Sequence, residues 1–375
     1  MIIHLSILAV ILVCALIWER PIKYRKLKCI YYGERYDYKS PLMPWLIVFG
    51  YIAFLAAMRS GMNDTSVYMD SFIGTSGTWD ALAGAFMDPD ARYKAANILS
   101  VLFKMFISDN YHWWFALFAV VESAIFIAVL RRESVSFLDS CFFFFASTLY
   151  YNYFSMMRQW MAVVLLFGGA RLIKEKKTIP FIILCIIAAQ FHPSAYIMIP
   201  VYFFASGKAW SQKQNMLIGV ALIAMLFLNP LLSRLASSLD DASYGYAIEA
   251  MMAGSGSSII RAIIAVVPVV LAFVNRQYID SENNMINACI NISVINFLLH
   301  FLASFTSGLY VIRLATYVQV YNLILYPYLL NVAISNRNRG ILKAGFYVIY
   351  LLFFCYQMSY QGSWEYVSDV IGRYY

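Results

Sequence analysis

Four arginines of this sequence lie where apolar stretches begin or end, and their chemistry suits a phosphate group. They are Arg59, Arg158, Arg261 and Arg313. A charged side chain at membrane depth costs about 2.5–3.5 kcal/mol on insertion scales, so it usually has a partner. The planar guanidinium group is weakly hydrated and binds phosphate oxygens through paired hydrogen bonds. We predict that these arginines converge on a diphosphate; the alternative for each of them is an extension to lipid headgroups.

Two further residues are candidates for proton transfer. Asp64 follows Arg59 in a polar segment, where a carboxylate beside an arginine stays ionised and can accept a proton from a sugar hydroxyl. The alternative for Asp64 is a helix cap or an Asx turn. His192 lies in a polar break between two short apolar runs, and membranes tolerate such breaks only against protein or a water-filled cavity. His192 is therefore a candidate proton carrier or phosphate donor, with a structural hydrogen bond as the alternative.

The composition indicates which kind of protein must position these residues. Of the 375 residues, 62% are hydrophobic and 13% are charged, and the mean hydropathy is +0.67. A soluble domain has about 45–50% apolar and about 25% charged residues, so a soluble enzyme, a disordered chain and a collagen are excluded. The sequence contains no Walker, G-x-G-x-x-G, G-x-S-x-G or H-E-x-x-H motif, and its six cysteines form no metal or disulfide pattern. We predict a membrane protein with no metal and no cofactor.

Twelve apolar runs predict an all-α, polytopic helical bundle. They lie at about 2–18, 41–58, 112–130, 137–150, 156–173, 178–190, 194–205, 215–232, 259–275, 285–303, 313–334 and 344–358. With the N-terminus outside, nineteen of the 28 Lys and Arg residues lie inside, which obeys the positive-inside rule. This topology places both termini and the loops at about 59–111 and 233–258 outside, and it leaves one membrane domain over 1–375. The net charge of +8 then reflects topology, and we predict no nucleic acid partner.

The predicted outer segment 59–111 contains a short apolar stretch, Ala95–Ile107, which includes Lys104. This stretch is too short and too charged to cross a bilayer easily. We therefore predict a re-entrant or interfacial helix at the outer face, with Asp90 as its N-cap. Glu122, within the third run, is expected to pair with an arginine at the inner end of the same helix.

Four motifs follow one another in a fixed order along the chain. They are Arg59-x-Gly61-x2-Asp64-x3-Tyr68, Asn152-x5-Arg158-Gln159-x2-Ala162, Ala189-x-Phe191-His192-Pro193-Ser194-Ala195 and Arg313-x3-Tyr317. Together they resemble the EpsG family of bacterial Wzy-type polysaccharide polymerases. The resemblance covers residues 45 to 330 approximately, and its specificity lies in the order of the motifs. It departs from the family at Met62-Asn63-Asp64, where Val-Gly-Asp is expected, and the 233–258 loop matches nothing.

The resemblance implies a GT-C-like integral glycosyltransferase in the bacterial cytoplasmic (inner) membrane, with its active site facing the periplasm or the outside. Such an enzyme transfers a growing glycan from undecaprenyl diphosphate to a lipid-linked repeat unit, and so builds an O-antigen, a capsule or an exopolysaccharide. Diphosphate binding is implied for Arg59, Arg158 and Arg313, with Arg261 behind them. Either Asp64 or His192 would deprotonate the acceptor hydroxyl. The residues implied for sugar or acceptor binding are Tyr68, Asn152, Gln159 and Tyr317.

Other functions stay open at this point. An O-antigen ligase-type transferase would use the same donor with a different acceptor. A flippase or exporter of lipid-linked glycans needs a polar path that opens to both faces, whereas the unusual residues gather at the outer end, which favours an enzyme. A role as an assembly partner alone predicts no cost from single Arg or Asp changes. The expected partners are the lipid-linked donor and acceptor, the lipid bilayer, a chain-length regulator and a flippase.

Overall fold

The computed structural model describes residues 2–19, 41–88, 93–226, 257–305, 308–334, 339–360 and 365–374. Within these ranges the chain folds almost entirely into helices. The α-helices are α1 (Ile2–Trp18), α2 (Leu42–Met58), α3 (Thr65–Ile73), α4 (Trp79–Met87), α5 (Lys94–Phe106), α6 (Tyr111–Glu133), α7 (Phe137–Ala146), α8 (Asn152–Ser155), α9 (Met157–Gly168), α10 (Ala170–Lys174), α11 (Thr178–Ala189), α12 (Met198–Ala205), α13 (Gln212–Leu226), α14 (Ile259–Val274), α15 (Asn284–Ala303), α16 (Gly308–Gln319), α17 (Asn322–Tyr328) and α18 (Arg339–Tyr360).

Shorter elements complete the described chain. They are 3-10 helices at Leu149–Tyr151, Pro193–Ile197 and Arg276–Tyr278, a π-helix at Leu329–Ala333, and the strands β1 (Tyr366–Ser368) and β2 (Gly372–Tyr374). The two strands form an antiparallel hairpin. The hairpin differs from the all-α prediction, because strands of three residues are too short to produce a readable alternation in the sequence.

The helices follow the apolar runs of the sequence. By length and composition, α6, α15 and α18 are able to cross a membrane, and shorter apolar helices lie on other predicted runs. Four of the runs are interrupted within the described residues. Helix α7 and a 3-10 helix divide the fourth, α9 and α10 divide the fifth, a 3-10 helix precedes α12 in the seventh, and α16, α17 and the π-helix divide the eleventh. The chain is an all-α membrane protein with one small hairpin, and the number of crossings stays a prediction.

Aromatic rings fill the centre of the bundle. Between ring centroids, Phe126 on α6 lies 5.7 Å from Phe49 on α2 and 5.4 Å from both Phe144 on α7 and Trp160 on α9. All four side chains are fully buried. Aromatic pairs at such distances contribute about 0.5–1.5 kcal/mol beyond the burial of their area. This core therefore fixes α2, α6, α7 and α9 relative to one another. It thereby also fixes the end of α2 and the start of α9, where Arg59 and Arg158 lie.

A buried carboxylate ties α7 to the last helices. Asp139 is fully buried and accepts hydrogen bonds from Asn331 in the π-helix, and from Lys343 (Nζ to Oδ2, 2.9 Å) and Tyr347 on α18. A buried charge is costly unless it is paired and hydrogen-bonded. These partners satisfy Asp139 and set the position of α18 against α7.

The predicted outer segment folds into α3, α4 and α5. The expected helix at Ala95–Ile107 is confirmed as α5, while its place at a membrane interface stays a prediction. Lys104 on α5 donates to the carbonyl oxygen of Ile73 at 2.9 Å, and its Nζ lies 4.9 Å from the centroid of the Phe72 ring. The charge of Lys104 is thus satisfied within the segment. Asp90, and the 233–258 loop up to residue 256, lie outside the described residues.

The hairpin docks on the segment that connects α2 to α3. The backbone of Val367 pairs with that of Gly61 in both directions, with N···O distances of 3.1 and 3.0 Å. Tyr366 donates to the carbonyl oxygen of Leu55 and Ser368 to that of Met58, both near the end of α2. A Cβ atom at Gly61 would lie 3.0 Å from the Val367 Cβ, so this close approach requires glycine.

Candidate functional site

A cavity of about 570 Å³ lies between α14, α15, α16, α17 and α18 and the segments at 63–64 and 147–156. Its polar lining comprises Asn63, Asp64, Ser147, Thr148, Asn152, Ser155, Arg261, Asn296, His300, Arg313, Thr316, Gln319, Asn322 and Gln357. Ligand sites commonly have about 300–1,000 Å³ and a few convergent polar groups. The cavity therefore has the size and lining of a binding site, and it contains four of the predicted site residues.

Asp64 and Arg313 form an ion pair at this cavity. The Oδ2 atom of Asp64 lies 3.7 Å from Nη2 of Arg313, and both side chains are about one-third exposed, at 35% and 37%. Asp64 occupies the N-cap position of α3, but its side chain makes no capping hydrogen bond. Its carboxylate is thus available to a ligand. The expectation that Asp64 lies beside Arg59 needs correction, because Arg313 from α16 is the cation that pairs with it.

Arg59 is turned into the protein and, like Arg158 and His192, does not line the cavity, so its predicted contact with a diphosphate stays a prediction. The chain becomes extended at this residue, where α2 ends, and the side chain folds back to donate to the carbonyl oxygen of Ala56 and to Oγ1 of Thr65 (3.2 Å). Its Cζ lies 4.2 Å from the centroid of the Phe115 ring. Only 1% of Arg59 is exposed, and burial lowers its pKa to about 10.

Glu122 on α6 is the carboxylate whose charge opposes that shift in the pKa of Arg59. Glu122 is buried, with 1% of its surface exposed. The expected pairing of Glu122 with an arginine at the inner end of its helix is wrong for Arg132, whose Nε lies 2.8 Å from Oε1 of Glu133 instead. Arg59 and Glu122 are thus two buried polar side chains that influence each other without a contact within 4 Å.

Arg158 lies between two tyrosines at the start of α9. Its Cζ is 4.4 Å from the ring centroid of Tyr93 and 5.2 Å from that of Tyr68. Both distances fall within the roughly 6 Å range of cation–π contact. The pKa of Tyr68 is raised to about 12 by burial and by the charge of Asp64. Since Arg158, Arg313 and Arg59 all act on the charge of Tyr68, the three arginines lie around one ring.

His192 joins the same group through a chain of hydrogen bonds. Its Nδ1 accepts the backbone N–H of Ser194 at 3.4 Å and lies 2.6 Å from Oγ of Ser194, which is 3.0 Å from the hydroxyl of Tyr317. With Nδ1 as the acceptor, the proton of the neutral ring is on Nε2. The pKa of His192 is lowered to about 4 by burial and by the charges of Arg313 and Arg158. At neutral pH His192 is an uncharged donor.

The residues predicted to bind sugar divide between the cavity and its supports. Asn152 lines the cavity. Gln159 is buried and donates from Nε2 to the carbonyl oxygen of Arg313 at 2.7 Å, so it holds the backbone beneath that arginine. Tyr317 is also buried and holds Ser194. Tyr68 packs against Arg158. The last three therefore position the arginines and His192.

Sequence reasoning missed the polar residues that α15 and α18 contribute. Asn296 and His300 are four residues apart on one face of α15, and both line the cavity. Gln357 on α18 accepts a hydrogen bond from Nη2 of Arg261 at 2.7 Å. The signal for Asn296 and His300 was present, since polar side chains four residues apart in an apolar run mark a functional face. Within the described ranges, no three His, Cys, Asp or Glu residues lie together as a metal site requires.

Comparison with known proteins gives one match. The model of the EpsG family matches residues 42–368, which includes every predicted site residue and the residues that line the cavity. Comparisons with curated proteins and with solved structures found no match.

Proposed function

The chain belongs to the EpsG family, a family of Wzy-type polysaccharide polymerases, and we propose that it joins undecaprenyl-diphosphate-linked repeat units into a bacterial surface polysaccharide. The family makes it a polymerase-type membrane protein with glycosyltransferase-like activity. The observation that carries the finer proposal is the ion pair of Asp64 and Arg313, 3.7 Å apart at a cavity that also contains Arg261. It combines a proton acceptor with cations that suit a diphosphate.

The reaction needs charge stabilisation where the glycosidic bond breaks. The acceptor oxygen forms a bond to the anomeric carbon of the donor, and the bond from that carbon to the diphosphate oxygen breaks with its electron pair. Negative charge then develops on the diphosphate, and cations placed in advance stabilise it without rearranging. Arg313 and Arg158 are the cations that we assign to the diphosphate, with Arg261 on the α14 side of the cavity.

Asp64 is the proposed base, because it faces the cavity and accepts the proton that the acceptor hydroxyl loses. His192 is less suited to that step, since two arginines and burial hold its pKa at about 4. Its Nε2–H group instead donates to a sugar or diphosphate oxygen. Arg59 supports the site from within, because it bonds Thr65 at the start of α3 and so fixes the residue that precedes it, Asp64.

The proposed setting is the outer face of the cytoplasmic membrane, with about twelve crossings in a GT-C-like bundle. Support comes from the distribution of Lys and Arg over the predicted loops. The site residues lie at the end of α2, the start of α9, the end of α11, the start of α14 and the start of α16. In the predicted topology all of these ends face outward. The proposed partners are the lipid-linked donor and acceptor, the bilayer, a chain-length regulator and a flippase.

The decisive experiment supplies purified protein with a synthetic undecaprenyl-diphosphate repeat unit and no nucleotide sugar. We expect a ladder of longer glycans. Asp64→Asn should abolish the ladder, whereas Asp70→Asn, which changes an exposed carboxylate on the same helix, should retain it. Unchanged substrate together with translocation in liposomes would indicate a flippase. Transfer of a single glycan to a different lipid acceptor, without a ladder, would indicate a ligase-type transferase.

A further inference from the structure

Four residues that line the cavity each have a buried, uncharged polar atom with no hydrogen-bond partner among the described residues. The four atoms are Oγ of Ser147, Oδ1 of Asn296, Nδ1 of His300 and Oδ1 of Asn322. The exposed fractions of these residues are 9%, 2%, 6% and 4%, so each is more than nine-tenths buried. Buried polar atoms without a partner also occur elsewhere among the described residues, but these four belong to side chains that line one cavity.

Buried polar groups normally have partners, because a group that loses water without gaining a hydrogen bond costs free energy. Helix packing alone does not require amides and an imidazole at this place, since apolar side chains would fill it at lower cost. Ordered water can satisfy such groups in the resting protein, and a ligand with its own hydroxyls replaces that water favourably. The lining is therefore suited to a ligand rich in hydrogen-bonding groups.

The chemistry of the four groups selects the class of ligand. Two amides, a hydroxyl and an imidazole offer both donors and acceptors and carry no fixed charge. The hydroxyl groups of a sugar ring are donors and acceptors in the same way. Tyr326 and Tyr350, whose hydroxyls bond each other, add aromatic surface to the same lining, against which the C–H face of a sugar ring packs.

Two of the four residues, Asn296 and Asn322, lie deeper in the bundle than the arginines, whereas Ser147 and His300 lie near helix ends, as the arginines do. Arg313 lies near the start of α16, whereas Asn322 follows that helix, and α16 rises about 1.5 Å per residue. Ser147 ends α7, and Asn296 lies one turn further from the end of α15 than His300. A ligand whose diphosphate meets Arg313 thus extends its next group toward these side chains.

We propose that Ser147, Asn296, His300 and Asn322 form a binding subsite for a neutral, hydroxyl-rich sugar ring. The sugar belongs to the lipid-linked glycan, and to that extent the inference rests on the proposed function. Binding at the subsite is separate from transfer, because none of the four side chains takes part in the bond changes. The subsite fixes the ring so that its reacting atom lies beside Asp64 and Arg313.

The test measures binding of methyl pyranosides to purified protein by saturation-transfer NMR. The probes are methyl glucoside, methyl galactoside, the methyl glycoside of N-acetylglucosamine and, as an anionic counterpart, methyl glucuronoside. We expect at least one neutral probe to bind, and Asn296→Ala and Asn322→Ala each to weaken it tenfold or more. Ser147→Ala should weaken binding of the neutral probe less than either Asn change does. This variant replaces an Asn variant that fails to fold.

Ser293→Ala is the matched control, because Ser293 is a buried residue of α15 whose hydroxyl also has no partner among the described residues but does not line the cavity. The Ser293→Ala protein should bind the neutral probe with the same affinity as the original protein. Absence of neutral-sugar binding, binding of the anionic probe alone, or equal affinity in Asn296→Ala and Ser293→Ala would overturn the subsite. Sugar binding with this dependence but without glycan ladders would refute the proposed function and leave the subsite standing.

Discussion

Arg59 and Arg158 have the same side chain and occur in neighbouring motifs, yet the structure gives them different environments. Arg59 is buried and donates hydrogen bonds to the carbonyl oxygen of Ala56 and to Oγ1 of Thr65. The charge of Glu122 counteracts the lowering of its pKa by burial. Arg158 is half-buried between two tyrosine rings. A cation of the first kind stabilises the fold, whereas one of the second kind is available to a phosphate. A substitution of Arg59 should therefore change the stability of the protein, whereas a substitution of Arg158 should change glycan elongation.

Arg59→Met should destabilise the protein by about 1–3 kcal/mol, because it removes the hydrogen bonds that the buried guanidinium donates to Ala56 and Thr65. Arg158→Ala should leave the thermal unfolding midpoint unchanged and abolish glycan elongation, since it removes a proposed diphosphate contact. The measurements are thermal unfolding in detergent and the ladder assay on the same preparations. Normal unfolding of Arg59→Met would contradict the assignment of Arg59 as a structural cation.

His192 gives a pH dependence whose sign follows from its lowered pKa. The folded protein holds this pKa at about 4, compared with an ordinary value of 6.5, so the unfolded chain binds more protons between these values. The free energy of unfolding therefore falls as the pH drops through this window, and the contribution is complete above it. His192→Gln removes the titration, and its unfolding midpoint should decline less on acidification from neutral pH than that of the original protein. Equal declines would show that His192 does not contribute.

At the scale of elements, the hairpin and the segment that connects α2 to α3, which contains Asp64, hold each other in position. Val367 pairs with Gly61, and the side chains beside it bond the end of α2. The turn of the hairpin adds Asp369, whose carboxylate accepts from the hydroxyl of Tyr111 at 2.8 Å and lies 3.0 Å from Nε2 of His112 at the start of α6. Two strands of three residues thus brace the segment from which Asp64 reaches Arg313.

Gly61→Ala tests this brace. The new methyl group would lie 3.0 Å from the Val367 Cβ, and relieving that overlap should cost about 1–3 kcal/mol and lower elongation by displacing Asp64. Gly50→Ala is the matched control, because a Cβ at Gly50 in α2 meets nothing within 4 Å. Unfolding midpoints and ladder yields of the two variants give the comparison. Equal yields would show that the hairpin does not position Asp64.

Most helices could be predicted from the sequence, whereas the contacts of polar side chains at the helix ends could not. Hydropathy located most of the helices, because apolar runs in a membrane protein are long, but it did not locate α3 and α4, which lie in no predicted run. The inward turn of Arg59 depends on where Phe115 and Glu122 lie across the bundle, and the pairing of Asp64 with Arg313 depends on how α16 packs. Such contacts come from distant parts of the chain and leave no local pattern.

At the scale of the whole molecule, charge distribution determines the proposed orientation. The predicted topology places α3 outside and the connection between α12 and α13 inside. Ser71 on α3 and Lys208 in that connection are both exposed, and each is suited to labelling. The proposed active site faces outward only if these two positions lie on opposite sides of the membrane.

Ser71→Cys should react with a membrane-impermeant maleimide in intact cells, because we predict that it faces the outside. Lys208→Cys should react only after the membrane is permeabilised. Cys355 is exposed in the described structure and Cys29 lies outside the described residues, so both are replaced by Ala in the two variants to remove background labelling. The reverse pattern would invert the topology and place the site on the nucleotide-rich inner side.

The ion pair of Asp64 and Arg313 also has a consequence for biosynthesis. Its members belong to the first and last parts of the bundle, and Gly61 beside Asp64 is held by Val367, which is made later still. During translation, the early helices enter the membrane long before these partners leave the ribosome. A nascent chain therefore cannot assemble its proposed base and cation together. The proposed transfer reaction can therefore begin only when the polypeptide is almost finished.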